Sequence, residues 1–223
     1  MKSRRKSQRK RPARRRAKSF QAKPLFTSGD LHRIDLALLE DLGRPRRDRT
    51  TQTVLKGREK TVVSAHILSK EQGTIVLCGL EIAREVFRRL SPACRLETAF
   101  QDGEHVASHE VIATIHGPIH AILAGERTAL NFLQRLSAIA TLTHRFVEQV
   151  KGTALKILDT RKTTPCLRHF EKYAVFCGGG VNHRMGLYDA ILVKNNHIDA
   201  VGGVRNALAK LPRAKANDST VVF

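Results

Sequence analysis

Apolar residues recur along this chain with two different rhythms, and the change between them divides it. Leu31, Ile34, Leu38 and Leu42 fall at helical spacing and predict a helix over residues 31–42, stopped by Gly43-Arg44-Pro45. Asp48-Arg49-Thr50-Thr51 then reads as a loop. Strand-like runs follow over residues 61–68, 73–78 and 106–115. Between the last two, residues 79–90 read as a helix with Leu80, Ala83, Val86, Phe87 and Leu90 on one stripe. Such alternation over residues 24–123 predicts an N-terminal α+β sandwich, a small sheet with helices on one face.

From residue 124 the rhythm is helical and then βα. Residues 125–150 read as one helix with Leu130, Leu133, Leu136 and Ile139 on its apolar face. Glu126 would sit in its first turn, where the helix dipole favours an acid. A strand over 155–158, a helix over 167–177, a strand over 189–193 and a helix over 204–211 follow, and residues 220–223 could begin a further strand. This βαβα order is the mark of parallel α/β construction. A full eight-unit barrel takes about 250 residues. The expected fold is therefore α/β plus α+β: the sandwich, then an incomplete (β/α) barrel over residues 124–223. Either its sheet is open and small, or the chain is truncated.

Composition adds a tail. The 223 residues are 41% hydrophobic, enough for real cores, and no run approaches the roughly 18–20 apolar residues of a membrane span. Net charge is +20, and residues 1–18 alone hold eleven Lys or Arg and no acid. So polar a segment cannot bury enough surface to offset ordering entropy, and residues 1–23 read as a disordered basic tail. Residues 1–18 could serve as a nucleic-acid arm on electrostatic grounds, or be a solvated extension; no aromatic interleaving supports single-strand binding. The tail lacks the apolar stretch of a secretory signal. Four cysteines without a CxxC pair fit a reduced, cytoplasmic setting.

Candidate chemistry gathers between residues 158 and 198. Arg161 and Lys162 follow the first strand of the βα series, and Lys194 and His197 follow the second. Between them Gly178-Gly179-Gly180 precedes Asn182-His183-Arg184. Ligands of parallel α/β folds sit beyond the carboxyl ends of strands. An arginine fork pairs with carboxylate or phosphate, a lysine adds a point charge, and glycines let backbone approach an anion. The pattern predicts a pocket for a small polyanion; the plainer readings are a basic surface loop and a glycine helix stop. Two HxxxH spacings, His105/His109 and His116/His120, invite a metal. On the strand expected there, four residues span roughly 13 Å, too far to share one ion. No GxSxG, HExxH, P-loop or GxGxxG occurs, so hydrolase and dinucleotide-fold readings are weak.

These motifs together resemble the quinolinate phosphoribosyltransferases, the carboxylating nicotinate-nucleotide pyrophosphorylases. The pieces are Glu40-Asp41-Leu42-Gly43 with Asp48-Arg49-Thr50-Thr51; the GERTALN run at 125–131; LSAIAT at 136–141; DTRKTTP at 159–165; Lys172-Tyr173-Ala174-Val175; GGGVNHR at 178–184; and KNNHI at 194–198. Their order and spacing span residues 31–211. The resemblance implies transfer of phosphoribose from phosphoribosyl pyrophosphate, with Mg2+, to quinolinate. Pyrophosphate and CO2 leave, and the product is nicotinate mononucleotide, a precursor of NAD. It implies that Arg161, Lys162, His183 and Arg184 bind quinolinate, with Thr160 in the same loop. Lys194 is shared with the phosphoribosyl group, and Lys162 and Lys194 are the catalytic cations. Arg127 reaches into the site of a neighbour, which implies a homodimer with shared active sites. No protein residue is assigned to metal.

The chain departs from the family pattern at Ala138, Cys166, Phe176 and Asn195, where a Gly, a Gly, a basic residue and an acid are usual. Family members also continue past Leu211 into βα units with acids near Mg2+ and pyrophosphate. The expectation is the quinolinate half of a site, in a truncated, inactive or repurposed relative, or one completed by another chain. Related molybdenum-transport-associated proteins share the TRKT, GGG and HR pattern, but Lys172-Tyr173-Ala174-Val175 and the N-terminal motifs favour the NAD enzyme.

Overall fold

Thr27 begins the first helix by exchanging hydrogen bonds with Asp30. The Thr27 hydroxyl accepts from the Asp30 N–H at 3.2 Å, and the Asp30 carboxylate accepts from the Thr27 N–H at 2.9 Å. This capping box launches α1 (Ser28–Leu42), which buries Ile34 and Leu38 and ends at Gly43 with φ 66°. The computed structural model describes residues 27–211 and the backbone of 221–222. The basic tail expected over residues 1–23 lies outside the described residues.

The loop expected at Asp48-Arg49-Thr50-Thr51 is instead the start of a helix, α2 (Arg49–Val54). Asp48 caps it, its carboxylate accepting from the Thr51 N–H at 3.0 Å, so an acid read as loop polarity is a helix start. A three-stranded antiparallel sheet follows in the order β1 (Val62–Leu68), β5 (Val111–Pro118), β3 (Arg95–Glu97). β1 and β5 run in register from Val62 opposite Pro118 to Ile67 opposite Ala113, then slip at a bulge before Leu68. A second ladder pairs β2 (Ile75–Val76) with β4 (His105–Val106). The run expected over 106–115 is thus two strands: a turn interrupts it, with His109 at φ 62°.

Gly79 opens α3 (Leu80–Leu90), which buries Leu80, Ile82, Ala83, Val86 and Phe87 against the long helix α4 (Ile119–Gln149). α4 starts six residues earlier than the apolar pattern predicts, directly after Pro118. Gly125 is therefore inside it, and Glu126 lies two turns in, beyond the first-turn dipole. The glycine has another use: a Cβ there would stand 2.9 Å from both Phe87 and Leu90, so it lets α3 and α4 approach. Residues 123 and 124, between which the apolar rhythm changes, are consecutive residues of this one helix.

Beyond α4 the pairings turn parallel. Leu158 bridges Val181, where a full strand over 155–158 was expected. α5 (Arg168–Cys177) precedes that bridge partner, and β6 (Ile191–Leu192) pairs in parallel with β7 (Val221–Val222). α6 (Asn195–Ala200), which the apolar pattern does not reveal, and α7 (Val204–Ala209) lie between them. The result is the expected α/β mixture: an antiparallel unit, a long helix across it, then short parallel βα pieces. Among the described residues, no helix is long and apolar enough to cross a membrane.

Candidate functional site

Asp159 organises the site. It follows the Leu158 bridge, and its side chain is nearly buried beside that of Lys172, which is 1% exposed. The two form an ion pair. Oδ2 of Asp159 accepts from the Asn182 amide at 2.6 Å, and Oδ1 accepts from the backbone N–H of His183 at 2.8 Å. Asn182 also donates to the Lys172 carbonyl at 2.8 Å. A buried charge is tolerable only when paired and hydrogen-bonded, and here every partner serves to hold the 159–162 loop against the 182–184 loop.

Arg168 ties the same loops from the start of α5. Its Nε donates to the Thr163 hydroxyl and its Nη1 to the Met185 carbonyl, both at 3.1 Å. Glu171, one turn on, accepts from the Thr164 N–H at 3.1 Å and pairs with Arg135 of α4. Burial opposes ionisation of Glu171, but the Arg135 and Thr164 hydrogen bonds outweigh it and hold its pKa below the ordinary value.

On this frame the expected residues stand as follows. The Thr160 hydroxyl accepts from the Lys162 N–H at 3.0 Å, shaping the turn that carries Arg161 and Lys162. Arg161 has a buried Nε with no hydrogen-bond partner. His183 accepts from the Arg184 N–H at 2.6 Å through Nδ1, and Arg184 reaches the Ala190 carbonyl at 3.0 Å, joining its loop to β6. Lys194 is exposed at the N-terminal end of α6, its N–H donated to His197 Nδ1 at 3.0 Å. Arg127 stands apart, exposed on α4. It lines an 830 Å3 groove with Lys70, Glu71 and Arg145 that includes none of the other expected site residues.

The charge balance is one-sided. Among the described residues, Arg161, Lys162, His183, Arg184 and Lys194 form no ion pair with a carboxylate. Asp159, the acid among them, is committed to Lys172, and Asp189 accepts from the backbone of Met185 and Gly186 at 2.6 and 2.9 Å. No three His, Cys, Asp or Glu side chains among the described residues could together hold a metal. The four HxxxH histidines go separate ways. His116 bonds Ser64 at 2.8 Å and His120 the Glu59 carbonyl at 2.6 Å, while His105 is on β4 and His109 in the turn beyond it.

The glycine triplet has a packing role. A Cβ on Gly178 would lie 2.7 Å from that of Thr143 and closer still to the Ala140 carbonyl, and one on Gly180 would stand 2.6 Å from Val175. Gly179 takes φ 89°. These glycines let the end of α5 press on α4 and turn back toward the site. Sequence reasoning missed the Asp159–Lys172–Asn182 group and the Arg135–Glu171 tie. Little in the sequence signalled them: Lys172 lies off the stripe of Phe170 and Ala174, and its burial in α5 appears only in the fold.

Cations without carboxylate partners in the βα loops of an α/β chain are what a site for an anion would need, and comparison with known proteins narrows the reading. The family model described as "Quinolinate phosphoribosyl transferase, N-terminal domain" matches residues 48–137, and the corresponding C-terminal domain model matches residues 139–222. A probable nicotinate-nucleotide pyrophosphorylase (carboxylating) of Bacillus subtilis is 44% identical over 176 residues, covering 79% of this chain and 58% of the relative. The solved nicotinate-nucleotide pyrophosphorylase of Francisella tularensis superposes with a TM-score of 0.78 at 35% identity, covering 90% of this chain and 70% of that one. NadC of Streptococcus pyogenes gives 0.77 at 38% identity, covering 85% and 66%. The chain belongs to the quinolinate phosphoribosyltransferase family. It spans less than two thirds of the length of the Bacillus relative.

Proposed function

We propose that this chain binds quinolinate at the Arg161–Arg184 cluster and takes part in its phosphoribosyl transfer and decarboxylation to nicotinate mononucleotide. The observation that carries the reading is the set of unpaired cations, above all the buried, partnerless Nε of Arg161. A buried donor without an acceptor costs about 1–3 kcal/mol, which a bound carboxylate would recover. Quinolinate brings two carboxylates. In this reading Arg161, Lys162, His183 and Arg184 hold them, and Thr160 shapes the loop. Lys194 serves both quinolinate and the phosphoribosyl group.

Breaking the ribose–pyrophosphate bond develops positive charge on the anomeric carbon and negative charge on the leaving group. Lys162 and Lys194 lower the cost of that negative charge. The ring nitrogen of quinolinate attacks the anomeric carbon as pyrophosphate departs with the bonding pair. The positive charge of the resulting pyridinium stabilises the electron pair left at C2 when CO2 leaves, and that carbon then takes a proton from solvent to give the product. The remaining work is positioning, which the Asp159–Lys172–Asn182 group supplies. Mg2+ belongs to this proposal as an ion held by the phosphates of phosphoribosyl pyrophosphate. The described residues do not form a carboxylate cluster for it. A homodimer in which Arg127 completes a neighbour's site, and a cytoplasmic setting, are parts of the same proposal.

Calorimetric titration of the full chain with quinolinate tests the reading. Binding is expected to weaken roughly 10–100-fold in Arg161→Ala and in Arg184→Ala, the loss of one charge-assisted contact each. A chain that ignores quinolinate, or variants that bind like the parent, overturns it. Formation of nicotinate mononucleotide from both substrates with Mg2+ separates turnover from binding.

A further inference from the structure

Toward the C-terminal end of α4, two histidines meet. His105 on β4 and His144 on α4 bring their Nε2 atoms to 3.2 Å, with ring planes 72° apart. Among the described residues neither ring has another hydrogen-bond partner. The meeting is built by the scaffold. His105 pairs across the ladder with Val76, and the Val76 N–H donates to the Thr141 hydroxyl at 2.9 Å, three residues before His144 on α4. Val76 and Val106 on either side are buried, so the two rings are carried on packed elements rather than on loops.

A separation of 3.2 Å suits two chemistries. One neutral imidazole can donate its Nε2–H to the lone pair of the other. Alternatively, both lone pairs can converge on one ion. Two nitrogens bound at about 2.0–2.1 Å stand roughly 2.9 Å apart at a right angle and about 3.4 Å apart at the tetrahedral angle, and the observed spacing falls between them. Glu148, one helical turn beyond His144, is engaged by Lys151 at 2.9 Å and is not counted as a ligand.

We propose that His105 and His144 form a two-histidine site for a borderline divalent transition ion, Zn2+ or Ni2+, with water completing the shell. Imidazole pairs favour such ions over Mg2+ and Ca2+, which take oxygen ligands. With two protein ligands in place of four, affinity is expected on the order of 1–10 micromolar. The ion would clamp β4 to α4. The site shares no residue with the quinolinate reading and stands or falls separately from it.

The test uses the full chain stripped with EDTA and titrated calorimetrically with ZnCl2, NiCl2 and MgCl2. Parent, His105→Ala, His144→Ala and His66→Ala are compared; His66 sits on β1, bonded to Thr114 at 3.0 Å. The expected result is one micromolar site for Zn2+ and Ni2+ and none for Mg2+. Either site variant should weaken it at least tenfold, while His66→Ala keeps it. Zn2+ should also raise the unfolding midpoint of the parent and leave that of both site variants unmoved. A parent with no binding below millimolar, or site variants that bind like the parent, overturns the proposal. Circular dichroism of each variant confirms that it folds, so a lost site is not mistaken for a lost structure.

Discussion

The residues before and after α4 are held together by different forces. Before it, Ile34, Leu38, Val76, Leu77, Val86, Phe87 and Val106 are almost wholly buried in one apolar cluster. After it, among the described residues, Phe170, Ala174 and Ala207 are the buried apolar side chains, while Leu155 is 68% exposed, Leu187 71% and Tyr188 84%. The site loops are ordered instead by polar ties: Asp159 with Lys172 and Asn182, Arg168 with Thr163 and Met185, Glu171 with Arg135 and Thr164. Apolar packing is non-directional and forgives small changes, whereas a buried ion pair fails at once when one partner goes. The difference predicts that the site half breaks by charge and the sheet half by cavity.

Lys172→Met puts the greatest strain on that contrast. It leaves Asp159 charged and nearly buried, and the expected cost is about 3–5 kcal/mol, together with loss of quinolinate affinity. Adding Asp159→Asn should recover part of the stability, because the stranded charge is removed. Leu38→Ala, deep in the apolar cluster, should cost a comparable ~2–5 kcal/mol but leave quinolinate affinity intact. Chemical denaturation and calorimetric titration of the four proteins give both readouts. Equal effects of Lys172→Met and Leu38→Ala on affinity would erase the distinction.

Gly178→Ala tests the seam between the halves. The added methyl meets the Ala140 carbonyl and the Thr143 side chain of α4, so α5 must shift, at an expected ~1–3 kcal/mol. Backbone strain does not enter, since Gly178 already has φ −75°. A loss of stability without any change in quinolinate binding would confine this glycine to packing.

The same seam marks where sequence reading succeeds and fails. The Leu130, Leu133, Leu136 and Ile139 stripe was legible because helical spacing and burial coincide. The start of α4 was not, because Gly125 reads as the helix's first residue until Phe87 and Leu90 are seen packed against it inside the helix. Asp48 was read as loop because its capping role depends on one hydrogen bond to the Thr51 N–H. The site cations were legible in number and order, since charge is written in residue identity. Their frame was not: Asp159 and Lys172 are 13 residues apart, and Arg135 and Glu171 are 36 apart. Such pairings appear only once the chain is folded. Family membership was legible because short motifs in a fixed order survive in the residues themselves.

Acid titration sharpens the contrast through two carboxylates in different settings, one fully buried and one partly. Asp30 is fully buried; hydrogen bonds from Thr27, with His169 at 2.7 Å, overcome the effect of burial and hold its pKa below 3.8. Its stabilisation is present above the unfolded value and is lost as pH falls through the lower folded value. Asp102 accepts from the Gly79 and Leu80 N–H groups at 3.0 and 3.1 Å and from the Tyr173 hydroxyl at 3.1 Å, yet burial still raises its pKa above 3.8. Its sign is opposite: the protonated folded form is favoured, and that contribution is lost as pH rises through the raised value. Asp30→Asn should therefore lower the melting temperature at pH 7 and flatten its fall in acid. Asp102→Asn should raise it at pH 7, because the amide oxygen can keep both N–H bonds without a buried charge. Melting curves from pH 2 to 8 decide between them, and two variants with the same sign at pH 7 would contradict these assignments.

The smallest effect belongs to the exposed apolar residues of the site half. Leu187→Ser removes a side chain that is 71% exposed, so it gives up little burial, and its expected effect is within about 0.5 kcal/mol of zero. If the polar ties order the 185–189 loop, quinolinate affinity should also be unchanged, because the carboxylate of Asp189 still accepts from Met185 and Gly186. Asp189→Ala removes those two bonds and should loosen the loop that follows Arg184. A larger loss of affinity from Leu187→Ser than from Asp189→Ala would mean that apolar contact, rather than hydrogen bonding, holds this loop in place.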